Sequence, residues 1–262
     1  MNMLYPRIIP CLLVKDKGLV KTVNFRNPKY VGDPINAVRI FNEKEVDELI
    51  VLDIDATPEK RGPDYNVIEH LAAECRMPLC YGGGVTTSEQ VQKIVQLGVE
   101  KVAISSAAME TPNLVAEAAE TVGSQSVVVV LDVKKSLNGG KYEVWTHNGS
   151  KNTGVCPSEL AQQMERLGTG EILINSIDND GIMRGYDLVL AENIRKSVRV
   201  PLTVLGGAGS LHDIGRLIKK HGAIGAAAGS LFVFKGIYRA VLINYPNREE
   251  KYALIKENYD VH

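Results

Sequence analysis

Two glycine-rich turns, Gly82-Gly83-Gly84 and Gly206-Gly207-Ala208-Gly209, stand 124 residues apart, and a serine partner repeats at the same offset, Ser106 and Ser230. Glycines directly after a strand let backbone N–H groups come close to a ligand, and a helix starting just beyond adds partial positive charge; both favour phosphate. A tight strand-to-helix turn requires glycine in any case, so one such turn says little. The paired recurrence, each time with its serine, points to a ligand with a phosphate at each end. The candidate phosphate contacts are Gly82, Gly83, Gly84, Ser105 and Ser106 on one side and Gly206, Gly207, Gly229 and Ser230 on the other.

These residues need strands and helices to hold them. Short β-branched runs at 8–14, 49–54, 79–81, 102–104, 127–133, 172–175, 202–205 and 224–228 predict eight strands, with amphipathic segments between them. Asp33-Pro34 and Thr111-Pro112 place an N-cap before a first-turn proline, and Thr87 with Gln90 has capping-box spacing. Apolar stripes follow at helical spacing, such as Val91, Ile94 and Val95, or Leu211, Ile214, Leu217 and Ile218. Eight strand–helix alternations in 262 residues predict a single (β/α)8 TIM barrel spanning 1–262, with a doubly wound open sheet as the alternative. The 124-residue repeat divides it into half-barrels of roughly 1–123 and 124–245 with a tail at 246–262.

Composition narrows the partners. Thirty Lys and Arg face 31 Asp and Glu, and the basic residues are scattered, which argues against nucleic acid and anionic membranes. The longest apolar runs stop short of the ~20 residues of a membrane helix. Cys11, Cys75, Cys80 and Cys156 lack paired spacing, and His70, His147, His212, His221 and His262 lack ligand spacing, so no metal or other cofactor is expected and a reducing cytoplasm is the expected location.

Arg7-Ile-Ile-Pro-Cys-Leu-Leu-Val-Lys-Asp16 resembles the first strand of the cyclase subunit of imidazole glycerol phosphate synthase. Asp33-Pro34, Gly123-Ser-Gln125, Thr146-His147, Gly185-Tyr-Asp187 and both glycine turns extend the resemblance over nearly the whole chain. The resemblance implies a barrel that takes ammonia from a separate glutaminase subunit and uses it to split and cyclise a doubly phosphorylated ribulosyl substrate. It assigns proton transfer to carboxylates ending the first and fifth strands. Asp132, in Leu131-Asp-Val-Lys134, fills the second position, whereas the first is Leu13, which can neither give nor take a proton. Asp16, three residues on, is the candidate substitute. Further departures are Ser105 for asparagine, Leu205 for serine and Ile182 for threonine, while Lys21, Asp53 and Asp180 remain as substrate-binding candidates, Lys21 on a loop running to Phe25. An insertion from Asn138 through Tyr142 and Trp145 is expected to cover the site.

Arg7, Glu48, Lys101 and Glu171 match, by position, the family's charged ring at the mouth of its ammonia tunnel, which implies a glutaminase on the N-terminal face, beside exposed residues such as Glu100. Three readings follow: an ordinary histidine-pathway cyclase; a paralogue that passes ammonia to a further enzyme amidating a surface-polysaccharide sugar; and a non-catalytic subunit that activates the glutaminase. Retention of the ring alongside loss of the first carboxylate favours the second.

Overall fold

The computed structural model describes residues 5–136 and 140–259. Eight parallel strands close on themselves: β1 (Arg7–Lys15), β2 (Leu49–Asp53), β3 (Leu79–Gly82), β4 (Lys101–Ile104), β5 (Val127–Lys135), β6 (Glu171–Ser176), β7 (Leu202–Leu205) and β8 (Gly225–Ala228). Each pairs in parallel with the next, and β8 returns to β1 through Arg7↔Gly225 to Pro10↔Ala228, so the sheet is a TIM barrel and the open-sheet alternative falls. Closure removes every edge, and strands buried on both faces can be as uniformly apolar as Val127–Leu131.

Helices pack around the strands, α1 (Pro34–Glu43), α2 (Tyr65–Glu74), α3 (Ser88–Gln96), α4 (Ser106–Glu110), α5 (Asn113–Val122), α6 (Pro157–Arg166), α7 (Leu188–Ser197), α8 (Leu211–His221) and α9 (Ser230–Val233), and α10 (Arg248–Asn258), which buries no residue, lies against α8. Asp33 caps α1 with Pro34 in its first turn, and the Thr87/Gln90 capping box forms at α3. The core has two shells. A large outer layer, including Phe41, Ile68, Ile94 and Ile214, lies between strands and helices. A smaller one inside the barrel holds Ile9, Cys11, Ile50, Cys80, Ala103, Val128, Val130, Leu173, Leu205 and Ala227. Leu13 and Leu52 continue that inner layer upward, paired in register across β1 and β2.

Two hairpins rise above the barrel's C-terminal end. The first, Gly18–Val23 with Arg26–Gly32, continues from β1 after a two-residue turn at Asp16 and Lys17, both at positive φ. Lys21, expected on a loop, therefore sits in a strand, opposite Lys29 of the second arm and next to Val20, which pairs with β1. The second hairpin, Tyr142–Thr146 with Lys151–Asn152, pairs back onto β5. Asn138 and Gly139, at the start of the expected insertion, and His262 lie outside the described residues.

Candidate active site

One cavity opens at the C-terminal ends of the strands, where loops of this fold carry function. Its walls include both glycine turns, Ser105, Ser106, Gly229, Ser230, Lys21, Asp53, Asp132 and Asp180, together with Leu13 and Leu205. Sequence positions from 13 to 230 thus converge on one volume.

The proton-transfer candidate sits at its centre. Asp132 and Asn175 are register partners across β5 and β6, so Asn175 Nδ2 donates to Asp132 Oδ1 at 3.2 Å, while Ser105 Oγ lies 3.5 Å from Oδ2. Burial by the surrounding walls pushes the Asp132 carboxyl up to about 7, with the charge of Asp180 adding to the rise and the bonds from Asn175 and Ser105 opposing it. A carboxyl in that range can act as either acid or base near neutrality. Asn175 was not anticipated; a polar residue on the apolar strand Glu171–Ser176, in the row of Asp132, was the available signal.

Across the cavity, Leu13 presents hydrocarbon. Asp16 does not replace it. Its side chain is exposed, outside the cavity, and close to Asp55 and Glu59. Lys15 Nζ serves that acidic group, 2.9 Å from Asp55 and 3.8 Å from Asp16. The turn that holds Asp16 is tight, which removes the swing that substitution would require.

Lys21 is buried, and its Nζ donates to the Cys11 carbonyl at 2.6 Å. Burial pulls its ammonium below the usual lysine range, partly offset by Cys11 and Asp180. A Cβ on Gly229 would lie 2.4 Å from Lys21 Nζ, so a side chain there would have to displace that ammonium. Asp180 accepts from Thr22 Oγ1 at 2.8 Å, and burial raises its carboxyl. Asn24 donates to the carbonyls of Ile177 and Asp178, so the first hairpin is stitched across the mouth to the loop after β6. Phe25 then meets Gly149 of the second hairpin. That hairpin contributes Asn148 to the wall, not Trp145 or Tyr142: Tyr142 Oη donates to Asp187, 2.9 Å away, and faces α7. Asp53 accepts from the backbone of Asp55 and Ala56 and lies 3.6 Å from Arg61, so much of its capacity shapes its own turn.

The glycine turns differ in detail. Ser106 Oγ accepts from His147 N at 3.0 Å, whereas Ser230 Oγ has no side-chain hydrogen bond among the described residues. Both serines open short helices, α4 and α9.

At the opposite end Arg7, Glu48, Lys101 and Glu171 form a closed ring of alternating sign. Arg7 bonds Glu48 and reaches Glu171 at 2.7 Å; Lys101 reaches Glu48 at 2.9 Å and Glu171 at 3.0 Å. Thr203 Oγ1 donates to Glu171 as a fifth member that sequence reading did not supply. Gly225 makes room for it, since a Cβ there would lie 1.9 Å from that hydroxyl. Burial disfavours the Glu171 charge, but Arg7 and Lys101 overcome this and hold its carboxyl below the usual range.

The profile of the histidine biosynthesis protein family matches residues 7–238. The chain belongs to that family. Within it the chain is 58% identical over 252 residues to a Leptospira interrogans protein provisionally named imidazole glycerol phosphate synthase subunit HisF, covering 96% of this chain and 99% of that one. It is 57% identical over 250 residues to a Vibrio vulnificus protein with the same provisional name, subunit hisF3, covering 95% and 96%. The imidazole glycerol phosphate synthase subunit HisF of Petrotoga mobilis is 41% identical over 238 residues, covering 91% and 94%. The chain is therefore a divergent HisF-family paralogue. Among the described residues no helix is long and apolar enough to cross a membrane.

Proposed function

We propose that this chain is the barrel subunit of a glutamine-dependent amidotransferase complex: a separate glutaminase docks on the ring of Arg7, Glu48, Lys101 and Glu171, and ammonia passes up the barrel to an acceptor at the other end. The acceptor we favour is a surface-polysaccharide sugar, delivered by its own amidating enzyme. One observation carries the reading. The ring is complete, with every charge paired, while the cavity that would cyclise a ribulosyl substrate has Leu13 where a second proton-transferring group is needed.

The barrel interior supports the route. Between ring and cavity the inward residues include Ile9, Cys11, Ile50, Cys80, Ala103 and Ala227, all uncharged. Such a lining favours neutral NH₃ over NH₄⁺, because an unpaired ion in low dielectric is strongly disfavoured. Leu13 and Leu205 carry that apolar lining into the cavity itself.

A histidine-pathway cyclase is the alternative, and a specific observation favours it: Asp132, held near neutrality, and both glycine turns still face one cavity. The turns suit a phosphorylated or nucleotide-like ligand in either case. Loss of one general acid/base is worth about 10²- to 10⁴-fold in rate. The purified chain, given the ribulosyl substrate and ammonium salt at high pH, is therefore expected to turn over at least ~100-fold more slowly than the Petrotoga mobilis subunit, with Leu13→Asp recovering part of the difference. A wild-type rate in the normal range would overturn the ammonia-delivery reading in favour of the cyclase.

A further inference from the structure

Two segments outside the barrel strands lie beside the cavity mouth: the first hairpin, 18–32, and the stretch 234–241 after β8. Neither contains an aspartate or glutamate, in a chain that has 31, yet they carry Arg26, Lys29, Lys235 and Arg239. None of these four has a carboxylate partner at salt-bridge distance among the described residues. The segments touch where Lys29 Nζ lies 5.6 Å from the Phe234 ring centroid. Arg239 Nη2 donates to the carbonyl of Gly181, a residue of the cavity wall, at 3.0 Å. The 234–241 stretch is thereby fastened to the rim of the mouth.

From that anchorage a small hairpin, Phe234–Lys235 with Ala240–Val241, pushes Ile237 and Tyr238 outward. They are 89% and 91% exposed, and Tyr30, Val241 and Leu242 are exposed nearby or along the same stretch. Ile237 and Tyr238 bury almost nothing within the chain. A protruding aliphatic and tyrosine pair fringed by cations is the residue chemistry that dominates protein interfaces, and unpaired positive charge at the rim selects a partner by complementarity.

Resting on the ammonia-delivery reading, we infer that Ile237, Tyr238 and the cations around them are the docking surface for the enzyme that activates the acceptor, a protein offering an apolar pocket rimmed by carboxylates. Ammonia that reaches an open mouth meets water, is protonated and ceases to be a nucleophile. A partner seated on the anchored hairpin covers that mouth and receives the ammonia directly.

The test reconstitutes the full-length chain, its glutaminase and the purified amidating enzyme whose glutamine-dependent reaction they sustain. Ile237→Ser with Tyr238→Ser should lower glutamine-driven amidation at least ~10-fold. Glutamine hydrolysis by the barrel–glutaminase pair, amidation driven by added ammonium salt, and the melting temperature of the chain should stay at wild-type values. Lys235→Glu, a gentler change, should cost about 3-fold and weaken binding of the amidating enzyme in a salt-dependent way. Wild-type coupling in both variants would overturn the docking surface while leaving ammonia delivery standing. A wild-type barrel that sustains no glutamine-driven amidation would remove both. Binding of the chain to vesicles rich in phosphatidylglycerol, lost in the double variant, would assign the patch to lipid and overturn the protein partner.

Discussion

The two ends of this barrel treat charge in opposite ways. At the N-terminal end, Arg7, Glu48, Lys101 and Glu171 satisfy one another around a ring, with Thr203 completing Glu171. At the C-terminal end, Asp132, Lys21 and Asp180 are held apart, each against neutral groups, with Asn175, the Cys11 carbonyl and Thr22 as their partners. A closed ion network is stable only as a set, because removal of one member leaves a buried charge unpaired. Proton affinities are displaced at both ends, but in the ring the opposite charges hold Glu171 ionised, whereas burial at the upper end pushes Asp132 and Lys21 toward their neutral forms. The lower end satisfies its charges within itself; the upper end leaves its titratable groups facing the cavity.

Lys101→Glu tests this contrast most severely. It sets three carboxylates against one guanidinium and should cost about 3–5 kcal/mol in denaturant unfolding, the range for breaking a buried ion pair. In a variant population that still folds, glutamine-driven amidation should fall far more than the ammonium-driven reaction. Equal losses in the two assays, or a glutaminase that binds the opposite face, would remove the physical basis for an ammonia gate.

At the other end the sign reverses. Because folding raises the Asp132 carboxyl to about 7, its contribution favours the folded state least when it is ionised: stability should fall as pH rises from about 4 through 7. Asp132→Asn removes that penalty and should stabilise the chain at pH 8 by roughly 2 kcal/mol while flattening the pH dependence. Any proton transfer at this site should disappear in the same variant. A destabilised Asp132→Asn at pH 8 would mean that the carboxylate is solvated or paired more fully than its walls imply.

The smallest expected effect separates the two glycine turns. Inorganic phosphate titrated against the chain should bind at both, near Gly84 and Ser106 and near Gly207 and Ser230. Ser230→Ala should weaken its site about 10-fold, the worth of one hydrogen bond to a charged group, with unfolding changed by less than about 0.5 kcal/mol. Ser106→Ala should also loosen the second hairpin, since Ser106 Oγ accepts from His147 N. Phosphate binding at neither turn would end the two-phosphate reading.

Much of this was legible in the sequence because strand and turn signals are local. All eight barrel strands fall within a residue or two of their apolar runs, and the ring was visible as charges at strand starts. The first hairpin was not legible. Its second arm, Arg26–Gly32, is exposed for most of its length, so no buried face imprints a period on the residues, and only backbone pairing makes it a strand. Thr203 and Asn175 escaped for another reason. Their roles depend on which strands become neighbours and in which register: Asn175 stands opposite Asp132 only because β6 pairs with β5 at that offset.

The glycine turns carry a double obligation. A Cβ on Gly83 would stand 2.5 Å from the Asp53 carbonyl, and one on Gly207 would stand 2.1 Å from that of Gly185. Both residues also have positive φ, so a side chain there would strain the backbone as well as collide with it. A gene copy released from its ancestral substrate cannot shed these residues without damaging the scaffold. Leu13, Ser105 and Leu205 carry no positive φ, and their side chains line the cavity. A chain whose ligand changed would therefore lose cavity-lining side chains before it lost the glycine turns.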